Sequence, residues 1–342
     1  MIFQDIYLDL FIVYENNIFS MKKKLNFIDF CAWIWWWRLW LEANWLKCIW
    51  FSEIDKEAEK TYRLLHNTNE PNFWDLTKLN PYSLPDFDFM VAWFPCQTFS
   101  IIWERKWMED ERWQIILHLI NIMKIKKVKY FLLENVKWLV NHEHWETLKK
   151  ILKLLDEAWY YVNYSILNSI NYWVPQMRER IYIVWFKKEL TNNNFKFNFP
   201  SPIQKLADIK NFLSNDEYEW KDMKFDETFK RYLNNKYNIW KYNIKDLTKN
   251  DYLVLDTRQS DLRLYDKKVP TIRRWRQWIL YSKDWVLRKL TWYEAILLQW
   301  FPRNMADKVK WQIVDWNLLK QAGNAMTVNV IDKIVEKMLL SI

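Results

Sequence analysis

Glycine occurs once in this chain of 342 residues, at Gly323, while tryptophan occurs 26 times. Ordinary usage is about 7% glycine, or roughly 24 residues at this length. Tryptophan and glycine together number 27. A fold of this size needs tight turns and helix ends with a left-handed backbone, which glycine alone adopts without steric cost. The tryptophans sit where those glycines belong. Trp74 precedes Asp-Leu-Thr in a loop, Trp159 follows the helical pattern of "LLDEAWYY", and Trp173 precedes Val-Pro. The run "IDFCAWIWWWRLWLEANW" (residues 28–45) carries six of them where a strand should hand over to a helix. The expectation is that most Trp letters stand for glycine in the native protein. Some bacterial lineages read UGA as glycine where other codes read tryptophan, and Gly323 would come from an ordinary glycine codon.

Hydrophobic periodicity organises the rest. "LNFIDFCA", "KCIWFSEID", "DFDFMVAWFPC", "VKYFLLENV", "YYVNYSILN" and "RIYIVWF" read as strands. "RLWLEAN", "KEAEKTYRLLHNT", "WQIILHLINIMKIKK" and "WETLKKILKLLDEA" read as helices between them. Alternation of this kind predicts an α/β fold with a doubly wound, mostly parallel sheet. The pattern breaks near residue 190, and 195–290 is basic with weak periodicity. A helix, "TWYEAILLQ", opens the final section. The expected organisation is an N-terminal extension over 1–20, a large domain over 21–194, a second, smaller domain over 195–290, and a C-terminal segment over 291–342 returning to the large domain.

Charge and cysteine usage narrow the class. A net charge of +9 suits a polyanionic partner. Cys31, Cys48 and Cys96 share no spacing that suggests a disulfide framework or a metal site. A reducing, cytoplasmic setting is expected. The opening "MIFQDIYLDLFIVYENNIF" carries Asp5, Asp9 and Glu15 without a basic front, which makes a poor signal peptide. Met21, followed by Lys22–Lys24, is a plausible alternative start.

Three stretches carry candidate chemistry. "WFPCQTFS" places Cys96 after a strand, behind Pro95, where an open α/β sheet exposes its crevice. A thiol there can act as a nucleophile, or it can be an inert buried residue. "FLLENVKWL" ends a strand with Glu134 and Asn135, either capping groups or a proton donor in the same crevice. "VPQMRERIYIVWF" sets Arg178 and Arg180 two apart, so in a strand both point to one face, as an anion site or a solvated edge. With glycine restored, the turn after Asp29 suits a nucleotide-type ligand, and Glu53 stands where an acid accepts ribose hydroxyls.

In order, "DFCAWIWWWRLWLE", "EID", "WDLT", "WFPCQTFS", "LLENVKWL", "VPQMRERIYIVWF", "RKLTWYEAILLQWFP" and "KQAGNAMTVNV" resemble the motifs of the DNA (cytosine-5)-methyltransferases. The resemblance spans roughly residues 25–340. Its departures are nearly all Trp where the family has Gly, at Trp33, Trp35, Trp36, Trp93, Trp103, Trp138, Trp173 and Trp300.

The resemblance implies an S-adenosylmethionine-dependent methyltransferase fold with a target-recognition domain. It implies a cofactor site of Asp29, Phe30, Cys31, Ala32, Trp33, Trp35, Trp36, Glu53, Ile54, Asp75, Leu76, Pro95 and Asn324. Cys96 would add to C6 of cytosine and Glu134 would support N3. Arg180 would orient O2, with Arg178 beside it. The target base must leave duplex DNA to be reached. The segment following Cys96, including Ser100, would then close over it, and Gln97 would fill the vacated space. Arg258, Arg263, Arg273, Arg274 and Arg276 are candidate DNA readers. A monomer is expected, with a restriction endonuclease acting separately. The rivals are a tRNA cytosine-5 methyltransferase, which would act on tRNA and not duplex DNA, and a non-catalytic DNA-binding remnant. Against the remnant, Cys96, Glu134, Arg180 and Asn324 are all intact.

Overall fold

The computed structural model describes residues 25–34, 37–93, 111–141, 146–192, 195–203, 206–213, 221–258, 260–274 and 278–341. They form two compact units. The larger holds the described residues up to Asn168, Glu179–Ser201 and those from Val330 onward; the smaller holds Ser169–Arg178 and Pro202–Asn329. These boundaries differ from the expected ones. The 291–329 section groups with the smaller unit, and only the chain from Val330 returns to the larger.

The larger unit is built on a six-stranded sheet of β1 (Asn26–Phe30), β2 (Lys47–Ser52), β3 (Phe89–Trp93), β4 (Tyr130–Val136), β5 (Tyr160–Asn168) and β7 (Glu179–Lys187), with β6 (Gln176–Met177) lying outside it. The order is β2-β1-β3-β4-β7-β5. β2, β1, β3 and β4 pair in parallel, while β7 runs antiparallel to β4 and β5. The central strands are buried on both faces, which is why "YFLL" and "IYIVWF" read as continuous apolar runs. Helices α1 (Trp37–Ala43), α2 (Lys56–His66), α3 (Glu111–Lys126) and α4 (Glu146–Glu157) follow the strands. Leu119 and Met123 of α3 and Ile151 and Leu155 of α4 join Ile28, Met90, Phe131 and Ile183 in one core.

Strand succession runs to one side from β1 to β2 and to the other side at β3. The crevice of such a sheet lies at that reversal, outside the carboxyl ends of the strands. Residues 31–34, Glu53 and Glu134 all lie at those ends.

The smaller unit contains a four-stranded antiparallel sheet, ordered β12-β11-β8-β9, of β8 (Leu253–Thr257), β9 (Leu262–Asp266), β11 (Ile279–Lys283) and β12 (Val286–Lys289). Helix α5 (Glu227–Leu233) supplies Phe229 and Leu233 to its core with Leu255, Leu280 and Leu287. Helix α6 (Trp292–Leu297) starts at a capping box in which Thr291 and Glu294 satisfy each other's backbone N–H groups. Helix α7 (Asp315–Asn324) packs against α6.

Backbone conformation bears on the tryptophans. Fourteen described residues other than glycine have positive φ, and eight are Trp: 33, 45, 74, 159, 173, 285, 300 and 311, with φ between 46° and 71°. Trp74, Trp159 and Trp173 are among the positions where the sequence asks for glycine.

Candidate active site

The turn after β1 is fixed to the end of β2. Ala32 N–H donates to the Ser52 carbonyl at 2.8 Å, and Trp33 N–H donates to Glu53 Oε2 at 2.7 Å. Asp55 N–H donates to Glu53 Oε1 at 2.7 Å. Asp55 in turn caps α2 by accepting from the N–H groups of Glu57 and Ala58. Asn72 ties in the next loop. Its Oδ1 accepts from Glu53 N–H at 2.9 Å and Trp74 N–H at 2.8 Å, while Nδ2 donates to the Glu53 carbonyl at 3.0 Å. Sequence reasoning missed Asn72, because its role exists only once the two loops are adjacent.

These contacts set the environment of the acids. Burial pushes the Glu53 carboxyl up to about 7, against the lowering effect of its backbone bonds to Asp55 and Trp33. Asp75 accepts from the Thr77 hydroxyl at 2.7 Å and the Thr77 N–H at 3.0 Å, and the hydroxyl bond first of all holds it below the usual range. Ile54 is 67% exposed, and Leu76 is buried. Arg38 anchors α1 behind the turn, pairing with Glu42 at 2.9 Å and forking onto both oxygens of Glu70.

The other expected cofactor residues are placed as follows. Asp29 is fully buried under α2, where Tyr62 Oη donates to its Oδ2 at 3.1 Å, and burial pushes its carboxyl well above the usual range. Phe30 is core, its ring tilted against that of Phe87. Burial first of all pushes the Cys31 thiol up. Asn324 is the last residue of α7, half-buried, in the smaller unit. Trp35, Trp36, Pro95, Cys96, Gln97, Ser100 and Arg276 lie outside the described residues, as do the 1–20 extension and Trp103.

The second cluster forms at the end of β4. Glu134 is fully buried and its register partners are Trp93 of β3 and Tyr182 of β7. Arg180 pairs with Val136, one diagonal step from Glu134, a distance a long side chain spans. Its Nε lies 3.0 Å from Glu134 Oε1, with the two side chains 13% and 0% exposed. Cys96 follows Trp93 by three residues in the sequence.

The expected pairing of Arg178 with Arg180 on one face does not occur. Arg178 falls between β6 and β7, where the strand is interrupted and the alternation of side chains is lost. Its buried guanidinium Nη1 donates to the carbonyls of Ile272 and Gly323, in the smaller unit. Arg180 belongs to the larger unit with Glu134. Of the expected DNA readers, Arg263 and Arg273 are exposed, and Arg258 and Arg274 half-buried.

The family profile of the C-5 cytosine-specific DNA methylases matches residues 25–340. The chain belongs to that family. This DNA methylase is 33% identical over 297 residues to the type II methyltransferase M1.ScrFI of Lactococcus lactis subsp. cremoris, covering 86% of this chain and 72% of that protein. It is 32% identical over 318 residues to M.DsaV of Dactylococcopsis salina, covering 93% and 87%. Among solved structures, the methyltransferase EhMeth of Entamoeba histolytica superposes with a TM-score of 0.69 at 19% identity, over 93% of this chain and 98% of that one. The methylase transfers a methyl group from S-adenosylmethionine to C5 of cytosine in DNA.

The donor set fits that cofactor. Each oxygen of Glu53 holds one N–H and keeps capacity for a ribose hydroxyl. Exposed Ile54 offers apolar surface beside it, and anionic Asp75 a further acceptor. Trp33 is the part that does not fit, since its left-handed φ of 46° is one that glycine adopts without steric cost.

A pH dependence follows from Glu53. Its folded pKa stands above the unfolded value, so the folded state holds the proton longer. The stability this contributes is complete below about pH 4.5 and is lost as pH rises through about 7. Thermal unfolding of the ligand-free protein between pH 5 and 8 should show a decline that Glu53→Gln flattens. Equal slopes for the two proteins would contradict this origin.

Proposed function

We propose that this methylase acts on a cytosine flipped out of a specific duplex DNA sequence, as the modification partner of a separate restriction endonuclease. It works as a cytoplasmic monomer, and its native form carries glycine at most positions written Trp. The observation that carries the catalytic reading is the buried Glu134–Arg180 pair, one diagonal step apart at the carboxyl end of β4. The naming of M1.ScrFI and M.DsaV as type II methyltransferases supports the restriction setting. Eight left-handed tryptophans support the glycine reading. No helix among the described residues is long and apolar enough to cross a membrane.

Cytosine C5 is a poor nucleophile, and the chain's residues make it a good one. The Cys96 thiolate forms a bond to C6, and the ring's electrons shift to make C5 an enamine carbon. Glu134, held by Arg180, hydrogen-bonds N3 and stabilises charge that develops there during addition. Arg180 also supplies donors for the cytosine O2. S-adenosylmethionine, when bound, supplies the methyl group. A base then removes the C5 proton, and the returning electron pair expels Cys96. Glu53, Ile54 and Asp75 orient the cofactor.

Bisulfite sequencing of DNA from cells expressing the glycine-bearing chain tests the reading. Cytosines protected within one short sequence are the expected result. Methylation of tRNA with none on duplex DNA would overturn it.

A further inference from the structure

Two segments of the smaller unit run side by side as one seam. β6 pairs in parallel with β10 (Val269–Pro270), Gln176 against Val269 and Met177 against Pro270. Val269 N–H donates to the Pro175 carbonyl at 2.7 Å, and Thr271 Oγ1 donates to the Met177 carbonyl at 2.6 Å. Arg178 continues the seam, with Nη1 donating to the Ile272 carbonyl at 3.0 Å and the Gly323 carbonyl at 3.3 Å. Gln176 is buried and fastens its own end, Nε2 donating to the Leu298 carbonyl at 2.9 Å.

Gly323 forms the other jaw. A Cβ built there would stand 2.5 Å from Arg273 C, 2.6 Å from Arg274 N and 2.8 Å from Arg273 O. The backbone of Arg273–Arg274 therefore rests on bare helix backbone in the last turn of α7, and any side chain at 323 would push it off. The Arg273 side chain is exposed beyond this contact. Burying a guanidinium is costly unless its donors are used, and Arg178 uses Nη1 to bridge two carbonyls from separate segments. Lysine, a point donor on a flexible stem, cannot reproduce that planar bridge.

We propose that Arg178 and Gly323 form a clamp that sets the register of the Ile272–Arg274 segment, so that Arg273 is presented to the edges of the recognised bases. Arg178 is thus a positioning residue for sequence discrimination. The proposal rests on the duplex DNA reading above. An arginine reads a guanine edge only when its backbone is rigidly held, because a sub-ångström displacement loses the bidentate geometry.

The test uses the full glycine-bearing chain and its Gly323→Ala, Arg178→Lys and Arg273→Ala variants. Plasmid methylation is read by bisulfite sequencing, with cofactor affinity measured separately by calorimetry. Each variant should lose about tenfold in discrimination between its own site and sites differing by one base, the scale of one bidentate contact. KM for DNA should rise more than kcat falls, and S-adenosylmethionine affinity should stay unchanged. If Arg178 instead touches the flipped base, Arg178→Lys lowers kcat with discrimination intact and Gly323→Ala is silent, which overturns the clamp. Should Gly323→Ala fail to fold, Arg178→Lys decides alone by the same criterion. A parent chain that methylates no DNA overturns the function on which the clamp rests, whereas an active parent with unaltered variants overturns the clamp only.

Discussion

Glycine at Trp33, Trp45, Trp74, Trp159, Trp173, Trp285, Trp300 and Trp311 is expected to turn a chain that does not fold cooperatively into one that does. All eight positions have φ between 46° and 71°. A left-handed backbone costs an L-residue about 1–2 kcal/mol, so eight of them cost roughly 8–16 kcal/mol. That is the size of the whole stability of an ordinary protein, about 5–15 kcal/mol. Two further tryptophans add to the load, because the indole Nε1 of Trp37 and of Trp185 is buried with no hydrogen-bond partner. Thermal unfolding of the two chains by circular dichroism reads the effect. The glycine chain should melt in a cooperative transition, and the printed chain should show none or aggregate. Equal transitions for both would contradict the glycine reading.

The second large effect is at the Glu134–Arg180 pair. Arg180→Ala leaves a buried carboxyl without its 3.0 Å partner, and breaking such a pair costs about 3–5 kcal/mol. Glu134→Gln keeps the shape but removes the acid proposed to act at N3. Both should lower kcat by roughly 10²- to 10⁴-fold, the usual contribution of a positioned acid. Cofactor affinity should survive in Glu134→Gln, since Glu53, Ile54 and Asp75 follow other strands. Steady-state methylation at saturating DNA, with calorimetry for cofactor, separates the two quantities. Full turnover by Glu134→Gln would contradict the assigned role.

The larger unit was legible in the sequence for a physical reason. Parallel strands buried on both faces appear as unbroken apolar runs, as in "FMVA" of β3. The smaller unit was not. Its strands are five residues or fewer, and β9, "LRLYD", carries charges on exposed positions, so neither period nor polarity marks it. Its turns at Trp285 and Trp311 have a left-handed backbone that glycine would have marked and tryptophan does not. The positions of Glu53, Glu134 and Arg180 at or near strand ends were readable because strand ends follow from the run of apolar residues, whereas Asp75 caps a short turn in a loop. The pairing of Arg178 with Arg180 assumed an unbroken strand, and the interruption between β6 and β7 sends Arg178 to the Ile272 and Gly323 carbonyls instead. Asn72 and the cradle at Gly323 depend on loops meeting across long sequence separations, which no local pattern encodes.

The most direct measurement is covalent trapping. DNA in which the target cytosine carries fluorine at C5 permits addition of the thiolate and methyl transfer, but leaves no proton to remove, so the enzyme cannot release. The glycine-bearing chain, given such DNA and S-adenosylmethionine, should form a one-to-one adduct stable to denaturation and absent in Cys96→Ser. No adduct from the folded glycine-bearing chain on DNA that includes its site, or an adduct that persists in Cys96→Ser, would contradict it.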